Sequence, residues 1–141
     1  MSASELAYRL SEAARRPASW WQLVKFGLVG GSGYLVNLAV FSLLRADLGL
    51  HQALAATGAF CVAVTNNFVW NRHWTFAAGD GHAGFQAVRF FAVSLGALAI
   101  NLVVLEALVA ATSLGDLSAQ AIAVAVAIPF NFLGNKLWTF A

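Results

Sequence analysis

The residues able to do chemistry are concentrated in one stretch, Val64-Thr65-Asn66-Asn67-Phe68-Val69-Trp70-Asn71-Arg72-His73-Trp74-Thr75-Phe76. An apolar run fills with amides and closes on an arginine, a histidine and Trp-Thr-Phe. Asn67 and Asn71 stand four apart and share a helical face, which Trp74 continues one turn on. A carboxamide donates and accepts hydrogen bonds without carrying charge, so it can replace water around hydroxyl groups. Arginine offers phosphate a bidentate fork and lysine a point charge. The chain repeats the pattern 64 residues later, at Asn131, Asn135, Lys136 and Trp138, where Lys136 replaces Arg72. These groups suit binding and passage of a polar ligand. No nucleophile–base pair and no metal-ligand spacing accompanies them, so neither an enzyme nor a cofactor or metal site is expected. Nucleic acid is not an expected partner.

Two further asparagines extend the pattern inward. Asn37 lies 12 residues beyond Lys25, about 18 Å along a helix and near the middle of a bilayer. Asn101 stands at the same distance from Arg89. The expected ligand-binding set is therefore Lys25, Asn37, Asn67, Asn71, Arg72, Trp74, Arg89, Asn101, Asn131, Asn135, Lys136 and Trp138. A plainer account makes the amides interhelical glue, the bases topological anchors and the tryptophans an interfacial belt. Glu106, the one acid inside a span, is a candidate coupling residue. Its counterpart in the repeat is Ser42.

Composition sets the solvent. Of 141 residues 60% are hydrophobic and 10% charged, with mean hydropathy +0.74, against about a quarter charged in a soluble domain. Four apolar runs, at about 26–46, 52–71, 88–112 and 117–137, each reach the roughly 20 residues a helix needs to cross a bilayer. They are continuous and do not alternate, which excludes a β-barrel. Arg9, Arg15, Arg16, Lys25, Arg72, Arg89 and Lys136 fall on one side and Arg45 alone on the other. That bias places both termini in the cytoplasm, in the cytoplasmic (inner) membrane.

Aligned without gaps, 25–76 and 89–140 share 18 of 52 positions. Each copy holds two spans, so the copies form a parallel repeat of two helical hairpins. Residues 1–21 form a separate amphipathic segment. Ser2 and Glu5 fit a capping box, and Leu6, Leu10, Ala13 and Ala14 share one face. Pro17 ends that helix and Trp20-Trp21 mark the interface; a solvated tail is the alternative. The first apolar run is spanning length and is not read as a cleaved signal peptide. Residues 22–141 make the transmembrane domain, and 77–88 a glycine-rich joint. Gly27 and Gly31 read as a close helix-packing pair, since no strand precedes them as a phosphate loop would need. The fold class is thus an all-α membrane protein of four transmembrane helices, preceded by an interfacial helix.

At Lys25-Phe-Gly-Leu-Val-Gly-Gly-Ser-Gly-Tyr-Leu-Val-Asn37 and Asn67-Phe-Val-Trp-Asn-Arg-His-Trp-Thr-Phe76 the sequence resembles the GtrA-like family over about 25–140. The resemblance implies a four-span protein that moves a polyprenyl-phosphate-linked sugar across the membrane for cell-surface polysaccharide synthesis. Its partners would be that lipid, membrane lipids and a membrane glycosyltransferase, with a homo-oligomer a further expectation. The second copy departs from the first at Gly134 and Leu137, where Trp70 and His73 stand. The alternatives are a scaffold that assists a glycosyltransferase and a small multidrug exporter.

Overall fold

The computed structural model describes residues 1–141 apart from the side chains of Gln52, Asp116 and Leu117. Among the described residues every regular element is helical: α1 (Ala3–Arg15), α2 (Pro17–Ser42), α3 (Gln52–Trp70), α4 (Ala83–Ala111) and α5 (Asp116–Gly134). Three of them run on into a π turn, at Leu43–Asp47, Asn71–Thr75 and Asn135–Thr139. Four helical stretches, Pro17–Asp47, Ala53–Thr75, Ala83–Ala111 and Ser118–Thr139, are long and apolar enough to cross a membrane.

The capping box forms as the sequence specifies. The Ser2 amide donates to Glu5 Oε2 at 2.8 Å and the Glu5 amide to Ser2 Oγ at 3.2 Å. No residue of α1 is buried. Pro17 does not simply end α1: it is the first residue of α2, where its missing N–H costs nothing. Trp20 and Trp21 therefore ride on the helix of the first span. Trp20 Nε1 donates back to the Ala14 carbonyl at 2.9 Å.

The hydrogen bonds from the Ser2 backbone and hydroxyl, aided by Arg9, hold the Glu5 carboxyl below its ordinary value. Stabilisation from Glu5 is therefore complete above the ordinary carboxylate range and is lost as pH falls through the lowered value. Amide protection in the first turn of α1, taken relative to intrinsic exchange at each pH, should fall on acidification through that window. Glu5→Gln should remove the pH dependence.

The chain divides into two units, Met1–Thr75 and Phe76–Ala141. In the first, α2 packs against α3; in the second, α4 packs against α5. The contact faces are made of small residues. Ala55, Ala59 and Ala63 are buried on α3, and Ala119, Ala123 and Ala127 on α5. Each stripe has four-residue spacing, hence one helical face. Lipid gives apolar side chains no reason to cluster, so helices associate by close backbone approach over small residues. Phe26 and Phe90, 64 residues apart, close one end of each hairpin core.

The helix approach inside the first hairpin is not made at Gly27 and Gly31, which have open space around a would-be Cβ. Phe26, Val29 and Gly33 form the buried face of α2, and Gly27 and Gly31 stand round the helix from it. Close approach occurs instead at Gly33 against Asn67 and at Gly58 against Leu44. In the second hairpin it occurs at Gly134 against Val93.

The expected joint at 77–88 is shorter than its glycines suggest. His82 caps α4 by accepting from the Phe85 amide at 3.4 Å. Gln86, buried in the first turn, donates to the Ala78 carbonyl at 3.1 Å and folds the connection down. Phe76 stacks on Phe140 and Phe132 at centroid distances of 5.0 and 5.8 Å, within the second unit.

Candidate functional site

Each hairpin gathers its polar residues where its second helix widens into a π turn. A π turn bonds each N–H to the carbonyl five residues back, as Phe140 N–H does to Asn135 O at 2.9 Å. Such turns are rare and recur at functional sites. The cations of these turns, Arg72 and then Lys136, sit at the negative end of the helix dipole.

In the first hairpin the Lys25 ammonium lies 5.2 Å from the Trp74 ring centroid and 5.9 Å from that of Trp21. In the second, the Arg89 guanidinium lies 5.6 Å from the Trp138 ring centroid and donates to the Trp138 carbonyl at 3.2 Å. The pairs 25/74 and 89/138 carry the same 64-residue offset. The base that opens each hairpin thus latches onto the tryptophan that closes it, a cation–π contact worth about 0.5–2 kcal/mol.

The amides divide into two kinds. Asn71 and Asn135 are withdrawn into their hairpins, 2% and 0% exposed. Asn135 Nδ2 donates to Asn131 O and Asn131 Oδ1, both at 2.9 Å. The Oδ1 atoms of Asn71 and Asn135, and the hydroxyls of Thr75 and Thr139, have no partner. The other amides are half-buried. Asn67 is half-buried beside Gly33, and its Oδ1 accepts a long 3.5 Å bond from Asn66. Asn101 and Asn131 line a groove of about 190 Å³ with Ser94, Ala97, Leu98 and Ile128. Asn101 Oδ1 is buried there without a partner.

The first hairpin has a larger open groove, about 340 Å³, lined by Leu28, Val29, Ser32, Asn66, Trp70 and Trp74. Of these only Trp74 was expected from the sequence as a binding residue. Asn66, Trp70 and Trp74 recur every four residues, a spacing that could have marked them. The identical-residue repeat drew attention to Asn67 and Asn71 instead.

The remaining expected residues are placed as follows. Asn37 is half-buried on α2. Arg72 Nη1 lies 3.2 Å from His73 Nε2, and the Lys136 ammonium lies 5.6 Å from the Phe132 ring centroid. Glu106 is exposed on α4. A salt bridge joins Arg16 and Glu12 in the N-terminal segment.

The two hairpins differ at Gly33 and Ala97. A Cβ on Gly33 would overlap the Asn67 carboxamide. The second hairpin carries that Cβ, and there Asn131 is bonded to Asn135. Gly33→Ala should therefore turn Asn67 towards Asn71 and cost about 1 kcal/mol or less, because a mobile amide yields and not backbone. A structure of the variant checks the rotamer.

The GtrA/DPMS transmembrane-domain family matches residues 25–140. An uncharacterised membrane protein, YngA of Bacillus subtilis, is 30% identical over 118 residues, covering 84% of this chain and 78% of YngA. A dolichol-phosphate mannosyltransferase of Pyrococcus furiosus is 34% identical over 84 residues, 59% of this chain but only 24% of that protein. An all-helical chain with four membrane-length helices, matched from the Lys25 latch to Phe140, belongs to the GtrA/DPMS transmembrane-domain family.

Proposed function

We propose that the protein carries a polyprenyl-phosphate-linked sugar from the cytoplasmic to the outer leaflet of the cytoplasmic membrane, for cell-surface polysaccharide synthesis. The two hairpins enter the membrane in the same direction, with both termini cytoplasmic. Residues 22–141 act as the translocating domain, and α1 lies on the surface ahead of the first span, which α2 begins at Pro17. The cationic ends of the hairpins attract the phosphate. The amides at Asn67, Asn131, Asn37 and Asn101 substitute for water around the sugar hydroxyls while the polyprenyl tail stays in lipid. No bond is made or broken, so the protein is not an enzyme. Asn71 and Asn135 hold the ends of the helices and meet the headgroup only if the π turns open.

The observation that carries this reading is the placing of partnerless or weakly bonded amides in grooves of otherwise apolar helices. An unpaired amide in an apolar medium costs on the order of 1–3 kcal/mol in proteins. Packing alone gives no return for that cost, whereas a hydroxyl-bearing cargo does. The dolichol-phosphate mannosyltransferase relative supports the class of lipid.

A second reading is favoured by the same relative, in which the matched region is a minor part of a longer chain. There the domain accompanies the rest of a mannosyltransferase, which suits a scaffold that presents lipid to a glycosyltransferase. Asn67→Ala with Asn131→Ala separates the two in cells. Loss of surface glycosylation, with the protein still in the membrane and still captured with any partner enzyme, supports translocation. Full glycosylation with an intact complex supports the scaffold.

A further inference from the structure

The two copies of the repeat are not equivalent in what they leave open. Lys25/Arg89 and Trp74/Trp138 are shared in kind. Ser32, Asn66 and Trp70 have no chemical equivalents, since Gly96, Phe130 and Gly134 stand at their positions in the second copy. These three residues, with Trp74, make the polar and aromatic lining of the 340 Å³ groove.

We propose that this groove is the sugar-recognising site, taking the pyranose ring of a phosphate-linked sugar, and that the second hairpin has no such site. The proposal rests on the translocation reading above and locates its specificity in one hairpin. Trp70 and Trp74 meet at 80° with ring centroids 6.4 Å apart, and are 52% and 41% exposed. Two indoles at a right angle offer a wall and a floor. The C–H face of a pyranose is apolar with a weakly positive edge and packs on the negative face of an indole.

The polar groups beside the rings are poised to exchange partners. Ser32 Oγ donates to the Val29 carbonyl at 2.7 Å, which leaves its lone pairs for a sugar hydroxyl. Asn66 Nδ2 makes only long contacts, 3.4 Å to Ser32 Oγ and 3.5 Å to Asn67 Oδ1. Both are near the limit of a hydrogen bond and are readily given up for a hydroxyl. The Lys25 ammonium, over Trp74, sets a positive charge at the rim for the phosphate. Leu28 and Val29 supply an apolar wall. The volume sits at the small end of ligand sites, which run from about 300 to 1,000 Å³. An interfacial belt explains Trp74 and Trp138 equally. It gives no reason for a serine and an asparagine beside Trp70 on a helix face otherwise suited to lipid.

The test uses the full chain in nanodiscs, with binding read by tryptophan fluorescence and native mass spectrometry. The probes are a short-chain polyprenyl-phosphate glucose and the same polyprenyl phosphate without sugar. Asn66→Phe and the milder Ser32→Gly place the second copy's residues in the first groove, and Trp70→Leu removes the indole while keeping an apolar side chain. Each should weaken the sugar-bearing probe, by about tenfold for Asn66→Phe and Trp70→Leu through lost hydrogen bonds and stacking. Binding of the sugar-free probe should change less than about twofold. Equal binding of both probes by the wild type, or unchanged sugar preference in all three variants, overturns the site and leaves translocation standing. Binding of neither probe by the wild type overturns the translocation reading itself.

Discussion

Asn101→Leu is expected to slow transbilayer movement of a polyprenyl-phosphate sugar by about tenfold and to leave the protein at least as stable as the wild type. Asn101 lines the groove of the second hairpin with its Oδ1 buried and unpartnered. Replacing a buried acceptor that has no partner by an apolar group of similar size removes a desolvation cost and no hydrogen bond. Stability therefore holds or rises. A sugar hydroxyl at mid-depth loses one of the two amides, Asn101 and Asn131, that line this groove. A hydrogen bond missing from the crossing state costs on the order of 1–2 kcal/mol, and 1.4 kcal/mol is a tenfold change in rate. Parallel measurement of unfolding and transport separates this result from the plainer account of the asparagines. If Asn101 is interhelical glue, the same substitution lowers stability and leaves transport among folded molecules unchanged.

Ala123→Leu is expected to have the largest effect on stability, about 1–3 kcal/mol, and to separate α4 from α5. Ala123 is 0% exposed at the middle of the stripe Ala119, Ala123 and Ala127. Three additional carbons have no space there, and overpacking of a close interface costs in this range. Lipid offers no compensating hydrophobic gain, since the leucine is as well solvated outside the interface as within it. Ile122→Leu, one position round the helix and half exposed, should be neutral. Unfolding of the two variants in mixed micelles, followed by circular dichroism, checks the contrast. Equal stability would mean that the alanine stripe is not the packing seam.

The four spans were legible because lipid imposes a length and a polarity that composition reports directly. The capping box was legible because Ser2 and Glu5 bond each other within one turn, with no help from distant chain. The alanine seam was not. Alanine is common on every face of these helices, and only the register of α2 against α3, and of α4 against α5, says which alanines meet. The glycines misdirected the reading for the same reason: Gly27-x-x-x-Gly31 has the right spacing on a face that the partner helix does not occupy.

The site was legible in part. Internal repetition pointed to Asn67, Asn71, Asn131 and Asn135, and two of those four proved to be buried inside their hairpins. The latches Lys25–Trp74 and Arg89–Trp138 were each present as separate residues, yet 49 residues part their members and nothing local links them. A π turn has no letter of its own, because it is a register of backbone bonds. The turns at Asn71–Thr75 and Asn135–Thr139 were therefore invisible until the backbone was seen. Asn66 and Trp70 were passed over because they lack counterparts, although a departure from a repeat can carry more information than an identity.

Reconstitution of the purified protein into liposomes tests the central claim most directly. A fluorescent short-chain polyprenyl-phosphate sugar is placed in both leaflets, and its accessibility to a membrane-impermeant quencher or periodate is followed over time. Translocation predicts that the protected inner-leaflet fraction becomes accessible faster with protein than in empty liposomes, and that Asn101→Leu slows the change by about tenfold, the loss of one hydrogen bond. Movement no faster than in empty liposomes, with the protein shown to be folded and inserted, would contradict the account.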